Sequence, residues 1–242
     1  MSGHEGTNTR AWRLVLDTAT RRSTLAIGDG PTLVVADVRD AGHRHGSMLL
    51  DQLDEALRST GVRVGDLGAI GVGTGPGSFT GLRVGLATAK TLAWSLGLPL
   101  VGVSTVEALR RAASRASGVD SSRVAVVLPA GARDHYVALP GMPPVLVPPD
   151  RALSGEVRGY VTVAVDVAAD RLGSIGQLDG TDLEALCRGT LEGLAIALLE
   201  LTSERLLAGP PDDPATLVPG YVALPRGVTT PVEGMTWLPD PR

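Results

Sequence analysis

The chain holds a single cysteine, Cys187, in 242 residues. One thiol excludes an intrachain disulfide framework and a cysteine-based zinc site, and fits a reducing compartment. Its ordinary role is that of a small, buried apolar residue in a helix. Aromatic residues are scarce too: one Phe, three Trp and three Tyr offer little on which to stack bases. No apolar run approaches the ~18 residues of a membrane span. The first ten residues, MSGHEGTNTR, lack the apolar region of a signal peptide. The expectation is a cytoplasmic protein with a disordered extension over residues 1–10 and no membrane contact. Formal net charge is -4, and the basic residues are scattered. Only Arg110, Arg111, Arg115 and Arg123 approach a cluster, which is not a footprint for binding nucleic acid unaided.

What is present suffices for a sizeable core, with 43% hydrophobic and 20% charged residues. WRLVLDTAT, STLAIGDG and TLVVADV are short β-rich runs separated by turn residues, which predicts a three-stranded meander. HGSMLLDQLDEALRSTG places Leu49, Leu50, Leu53, Ala56 and Leu57 in one helical stripe, with Gly61 as the stop. LGAIGVG reads as a buried strand, TGLRVGLATAKTLAWSLG as a helix stopped by Gly97 with Pro99 beyond, and LPLVGVS as another strand. A further helix is expected from about Thr105 to Ala116. After Gly118 come strands near RVAVVLP, HYVALP, PVLVP and GYVTVAV, then a long helix from about Asp182 to Leu207. Proline-dense stretches at 140–149 and after Gly209 predict loops or extended segments.

Between the fourth strand and its helix lies GVGTGPGSFTGLRVG, Gly71 to Gly85, with six glycines and a proline. Such a backbone could cradle an anion, because glycine lets N–H groups converge and the helix N-terminus adds partial positive charge. The P-loop pattern, however, needs Lys-Ser/Thr after its last glycine, and here Gly81 is followed by Leu82 and Arg83. The dinucleotide fingerprint fits only loosely as Gly73, Gly75 and Ser78. A tight turn in which only glycine fits the backbone stands beside the cradle as the second reading. The helix that follows is apolar nearly all round. Leu82, Leu86, Ala89, Ala93 and Leu96 line one face, and Gly81, Gly85, Ala89 and Ala93 form a ridge without bulk that would let a neighbouring helix approach. Ala87, Thr91 and Trp94 point away from the expected sheet, with Met48 as the apolar residue on the polar side of the preceding helix.

LVLDTATRRSTLAI, HGSMLLDQLDEAL and above all GVGTGPGSFTGLRVGLATAKTLAWSLGLPLVGVSTVEAL resemble the TsaB (YeaZ) family, required for threonylcarbamoyladenosine in tRNA. The resemblance covers about residues 12 to 110, and its GPGSFTGLR segment is highly specific. GARDHYVAL is similar to the family's D-A-R-x-x-E-V-Y segment, with Gly131 and His135 in place of the usual aspartate and glutamate. PGYVALPR resembles the closing P-x-Y-L-R. The resemblance implies an α/β fold of the actin/Hsp70/sugar-kinase (ASKHA) superfamily, with two related domains of which the second is reduced. The corresponding division is 11–104, completed by part of 210–235, then 105–208, then a Pro-rich segment 209–242.

The catalytic paralogue, TsaD, carries an H-x-x-x-H metal-binding pair after the strand that follows the same helix. VGVSTVEALRR puts Thr105 and Leu109 there, and neither replaces an imidazole. His43 and His45 are two apart and lack a ligand partner at useful spacing. The resemblance therefore implies a non-catalytic scaffold that docks a TsaD-like subunit, with a TsaE-like ATPase and, through the assembly, tRNA as further partners. For the free protein both a monomer and a homodimer stay open. No tightly bound cofactor is expected, and ATP only at an interface of the complex. Candidates for phosphate contact are Asp17, Gly75 and Gly77, with Asp17 also readable as a turn or cap residue. VDVAADRLGSIGQLDG supplies Asp166 and Asp170 in no recognisable nucleotide pattern. The expected partner interface comprises Met48, Ala87, Thr91 and Trp94. Two other functions stay open: a stand-alone ATP-dependent small-molecule kinase of the same superfamily, and a metallopeptidase.

Overall fold

The computed structural model describes residues 12–40, 45–131, 133–167 and 182–222. The expected extension at 1–10, His43, Asp170 and the chain after 222 lie outside these residues.

Strands β1 (Trp12–Asp17), β2 (Arg22–Asp29) and β3 (Thr32–Asp40) form the meander. Helix α1 (His45–Thr60) leads to β4 (Ala69–Gly73), α2 (Phe79–Leu96) to β5 (Leu100–Val103), and α3 (Thr105–Ser117) follows. The first sheet has the order β3-β2-β1-β4-β5, with β1, β4 and β5 parallel. Because side chains alternate along a strand, Leu14 and Leu16 face one side of this sheet and Val15 the other. The Leu14 side is covered by α1 and α2 through Leu49, Leu53, Leu86, Ala89 and Ala93.

A second sheet of order β8-β7-β6-β9 is built from β6 (Val124–Ala130), β7 (Asp134–Ala138), β8 (Val145–Val147) and β9 (Val161–Ala164). It repeats the first topology: an antiparallel meander with the fourth strand parallel to the first. Its crossover helix, α4 (Leu153–Glu156), has 4 residues where α1 has 16. Among the described residues no strand corresponds to β5. Two related α/β units with a reduced second member give the ASKHA-like fold implied by the resemblance.

Helix α5 (Leu183–Ala208) and α3 lie between the sheets. The α5 helix starts at Asp182, whose carboxylate accepts from Glu184 N at 3.0 Å and Ala185 N at 3.1 Å. It contacts α3, β9 and all five strands of the first sheet, which is why residues 194–203 are buried nearly all round while Glu184, Arg188, Glu192 and Glu204 keep a charged stripe outward. Residues of both sheets, α3 and α5 share one core. On the rim, Arg111 is bonded to Glu204 at 2.5 and 2.8 Å, and Arg115 pairs with Glu200.

Two expectations about helix faces are corrected, and a third in part. Leu50 is 58% exposed, because one step from Leu49 turns it about 100° off the buried stripe. The buried polar residue that the stripe conceals is Gln52. Its amide nitrogen donates to the carbonyls of Ser23 (3.3 Å) and Asp37 (3.1 Å), and its oxygen accepts from the Ser23 hydroxyl at 2.6 Å. Leu96 is half-exposed and Leu92 packs on the core in its place. The small-residue ridge of α2 is divided: Ala89 and Ala93 share a core with Leu49, Leu53 and Ala56 of the neighbouring α1, while its first half meets a turn. A Cβ on Gly81 would lie 2.0 Å from the Thr18 carbonyl oxygen, and one on Gly85 2.2 Å from Thr18 Oγ1, so this half seats the β1–β2 turn.

Candidate functional site

The glycine loop runs from Gly73 to Ser78 and is packed against the turn Asp17–Arg21 that joins β1 to β2. Ser78 N donates to the Ala19 carbonyl at 2.7 Å, and Thr18 Oγ1 donates to the Gly81 carbonyl at 2.7 Å. Ser78 caps α2 by accepting from Gly81 N at 3.2 Å. A Cβ at Gly77 would sit 2.2 Å from Ala19 O, and one at Gly73 1.8 Å from Asp17 Oδ2. Gly75 has φ +92°, in the region that favours glycine, and the Gly75–Pro76 peptide is cis. The glycine contacts need hydrogen in place of a side chain, and the N–H groups of Ser78 and Gly81 are bonded within the chain.

Asp17 is fully buried. Its Oδ1 accepts from Ala19 N at 2.8 Å, an Asx turn, and its Oδ2 accepts from Thr105 Oγ1 at 2.6 Å. Thr105 Oγ1 in turn accepts from Gly75 N at 3.0 Å, while Thr105 N donates to Gly75 O at 3.1 Å. The first β-turn, the glycine loop and the start of α3 are thus one hydrogen-bonded knot. Asp17 and Thr105 each stand out in the sequence on their own. Their pairing across 88 positions has no local sequence signal. Leu109, on the next turn of α3, is fully buried in the core between the sheets.

Two extensions fasten the knot. Asp166, at φ +57°, accepts from Arg21 N at 2.6 Å and ties the end of β9 to the turn. From the other side, residues 209–222 run along the β5 edge. Asp212 N donates to Leu100 O at 2.8 Å, and Asp212 Oδ2 accepts from Gly102 N at 2.7 Å. Gly220 N donates to Thr74 O at 2.8 Å. Tyr221 then packs on Phe79 with ring centroids 5.0 Å apart, and Arg83 lies over the same ring at 5.3 Å. Burial pushes the Tyr221 hydroxyl up, with Arg83 opposing. The closing PGYVALPR stretch therefore completes the glycine-loop end of the first sheet, as far as it is described.

The face of α1 and α2 turned away from the sheet is of another kind. Arg83, Ala87, Thr91 and Trp94 follow one another at helical spacing and are all exposed, Trp94 by 82%. Beside them, α1 presents Asp51, Asp54 and Glu55 outward, with Arg58 paired to Asp54 and Arg39 of β3 to Glu55. Met48 is half-buried and Leu50 exposed. The four residues expected at an interface thus lie on these two adjacent helices, whereas Asp17, Gly75 and Gly77 lie in the knot at the end of the sheet.

Among the described residues no cluster of three or more His, Cys, Asp or Glu has the geometry to hold a metal ion. His45 opens α1, and His135, on β7, is buried. Among the described residues no helix is long and apolar enough to cross a membrane.

A family model described as "TsaD: tRNA N6-adenosine threonylcarbamoyltransferase" matches residues 39–140. The chain is 34% identical over 125 residues to the tRNA threonylcarbamoyladenosine biosynthesis protein TsaB of Escherichia coli, covering 52% of this chain and 53% of that protein. Against the Bacillus subtilis protein of the same name it is 33% identical over 96 residues, 40% of this chain and 42% of that one. The chain spans about half the length, or less, of these curated relatives. YeaZ from Pseudomonas aeruginosa superposes with a TM-score of 0.70 over 88% of this chain and all of that one, at 22% identity, which establishes a common fold.

Proposed function

We propose that this chain, a member of the TsaB (YeaZ) family with a TsaD-like domain, is the scaffold of a complex that adds a threonylcarbamoyl group to adenosine next to the tRNA anticodon. It docks a TsaD-like catalytic subunit, with a TsaE-like ATPase in the same assembly and tRNA contacted through the complex. The observation that carries this reading is the outer face of α2. A tryptophan 82% exposed, in line with exposed Ala87 and Thr91, gives a flat, small-residue surface with one large apolar anchor. Such anchors dominate helix-mediated contacts.

A supporting role rather than a catalytic one is favoured by what occupies the positions of the paralogue's metal ligands. The Thr105 hydroxyl is committed to Asp17 and Gly75, and the Leu109 side chain to the core. The kinase alternative would need the N–H groups of the glycine loop for phosphate, and those of Gly75, Ser78 and Gly81 are already taken. The metallopeptidase alternative would need imidazole or carboxylate ligands where Thr105 and Leu109 stand.

The test is titration calorimetry of the full chain against the catalytic partner from the same cell. Trp94→Ala removes the anchor and Ala87→Arg adds bulk and an unpaired charge to the same seam. Both should leave the circular dichroism spectrum unchanged. Each should weaken binding at least tenfold, the equivalent of roughly 1.4 kcal/mol. Unchanged affinity in two folded variants would refute this docking face.

A further inference from the structure

A groove of about 1030 Å³ runs along the outer side of α3, between the second half of α5 and the turn joining β7 to β8. It is lined by four arginines and three glutamates. Two of the arginines, Arg111 and Arg115, are consumed by Glu200 and Glu204. The other two have only neutral hydrogen-bond partners. Arg110 donates through Nε to Val124 O at 3.0 Å and through one terminal nitrogen to Ala138 O at 3.2 Å, and Arg13 donates to Ser203 Oγ. Among the described residues neither makes an ion pair. Burial lowers the pKa of both, against the fields of Glu107 on Arg110 and Asp29 on Arg13. Each guanidinium has five N–H donors, and the bonds to protein use two on Arg110 and one on Arg13. Glu107 and Asp29 act on them only from beyond ion-pair distance, and a partly desolvated cation with spare donors is what a fork of N–H groups toward phosphate needs.

The rest of the lining narrows the ligand. Five serines line the same groove, and no aromatic ring lines it. Ser203 is buried, donating to Leu199 O and accepting from Arg13, and Ser104 accepts from Glu107 N, which leaves Ser114, Ser121 and Ser122 for a ligand. Hydroxyls suit a polyhydroxy body, and the absence of a ring removes the stacking surface that a nucleobase would use. We propose that the α3–α5 groove binds a sugar phosphate, with the phosphate on Arg110 and Arg13 and the sugar hydroxyls on Ser114, Ser121 and Ser122. The unit recognised, a pentose carrying a phosphate, occurs both as a free small molecule and in the backbone of RNA. The inference stands apart from the docking surface on α1 and α2 and does not depend on it.

Titration calorimetry of the full chain at fixed ionic strength tests it, with ribose 5-phosphate, ribose, inorganic phosphate and a uridine hexanucleotide as probes. Ribose 5-phosphate should bind once per chain and more tightly than ribose or inorganic phosphate. Arg110→Gln should lower that affinity at least tenfold. Because Arg110 also holds two carbonyls, Ser114→Glu is the second variant. It places a carboxylate in the groove at a hydroxyl with no hydrogen bond to lose, so it should abolish binding while the melting temperature stays put. A hexanucleotide that binds where ribose 5-phosphate does not, and is lost in both variants, supports the site and makes RNA its source. No binding by any probe, or binding unchanged in both variants, overturns the proposal.

Discussion

Replacing Gly77 by valine asks whether the glycine loop is kept for backbone geometry or for an anion. A Cβ at this position would lie 2.2 Å from the Ala19 carbonyl oxygen and 2.8 Å from the Ala19 carbonyl carbon and Cβ. Backbone atoms cannot rotate away as a side-chain tip would, so the loop and the β1–β2 turn must part by about 1 Å to restore van der Waals contact. That opening breaks the Ser78 N to Ala19 O bond, now 2.7 Å. A buried donor left unpaired costs about 1–3 kcal/mol, and the forced repacking about 1–3 kcal/mol more. The total, roughly 4 kcal/mol, is a large share of a typical 5–15 kcal/mol stability. It corresponds to a fall in melting temperature of about 8–16 °C for a chain of this size. Gly118→Ala is the control. It has φ +70° but nothing within 4 Å of its Cβ, so it tests the backbone angle without the clash. Its expected cost is about 1 kcal/mol. The assay is thermal unfolding followed by circular dichroism, with and without millimolar ATP. If the loop held phosphate, ligand at 100 times its Kd would restore about 2.7 kcal/mol. A Gly77→Val melting point equal to that of the parent, or one restored by ATP, would refute the geometric account.

The purified chain should retain less than a tenth of an equivalent of iron or zinc and show no ATP hydrolysis above background; one tightly held ion per chain by elemental analysis would contradict the scaffold reading. Thr105→Val keeps the volume but leaves Asp17 Oδ2 and Gly75 N without the hydroxyl that joins them, so chemical denaturation should report a loss of about 2–4 kcal/mol. Cys187 is half-buried and donates to Ala164 O at 3.3 Å, and burial pushes its thiol pKa up. Since the thiolate is the reactive form, alkylation of the native protein at pH 7.5 should run at least tenfold slower than in denaturant, and rise only at still more alkaline pH. Equal rates in the two states would show that the thiol is not held in this environment.

The strands and helices of the first 117 residues follow from local patterning because each has a period and a stop. Gly97 and Gly118 end α2 and α3 in left-handed geometry, as their places after an apolar run require. The outward places of Ala87, Thr91 and Trp94 are likewise a matter of helix phase, whereas Met48 is half-buried. What patterning misses is hydrogen bonding between distant segments. Gln52 looks like surface and is fully buried, because its partners are the backbones of β2 and β3, supplied by the fold. Leu50 looks like core and is exposed, because one stripe can hold only so many residues before the helix turns them out. The small-residue ridge of α2 was legible as close packing. The partner of its first half was not, since a turn and a neighbouring helix ask the same of a sequence.

The knot also bears on the docking face. In a phosphate-binding loop the N–H groups converge on the ligand rather than on the protein's own acceptors. Here Ala19, Ser78, Thr105 and Gly75 satisfy one another, Asp166 ties in the second sheet, and the 209–222 segment covers the edge of β5. The start of α2 is therefore fixed by contacts internal to the chain, from its Ser78 cap to the Gly81 and Gly85 contacts with Thr18. A helix anchored in this way presents Ala87, Thr91 and Trp94 in one orientation before any partner binds. Association then loses less free energy to ordering, and a larger part of the contact energy appears as affinity. On this argument a loosened knot should weaken docking even though its residues lie away from Ala87, Thr91 and Trp94. Thr105→Val, provided it remains folded at the assay temperature, should reduce affinity for the proposed catalytic partner through a slower association rate and a more unfavourable binding entropy. Trp94→Ala should act chiefly through faster dissociation. Stopped-flow binding separates the two. Identical association rates and binding entropies for Thr105→Val and the parent would show that the knot serves stability alone.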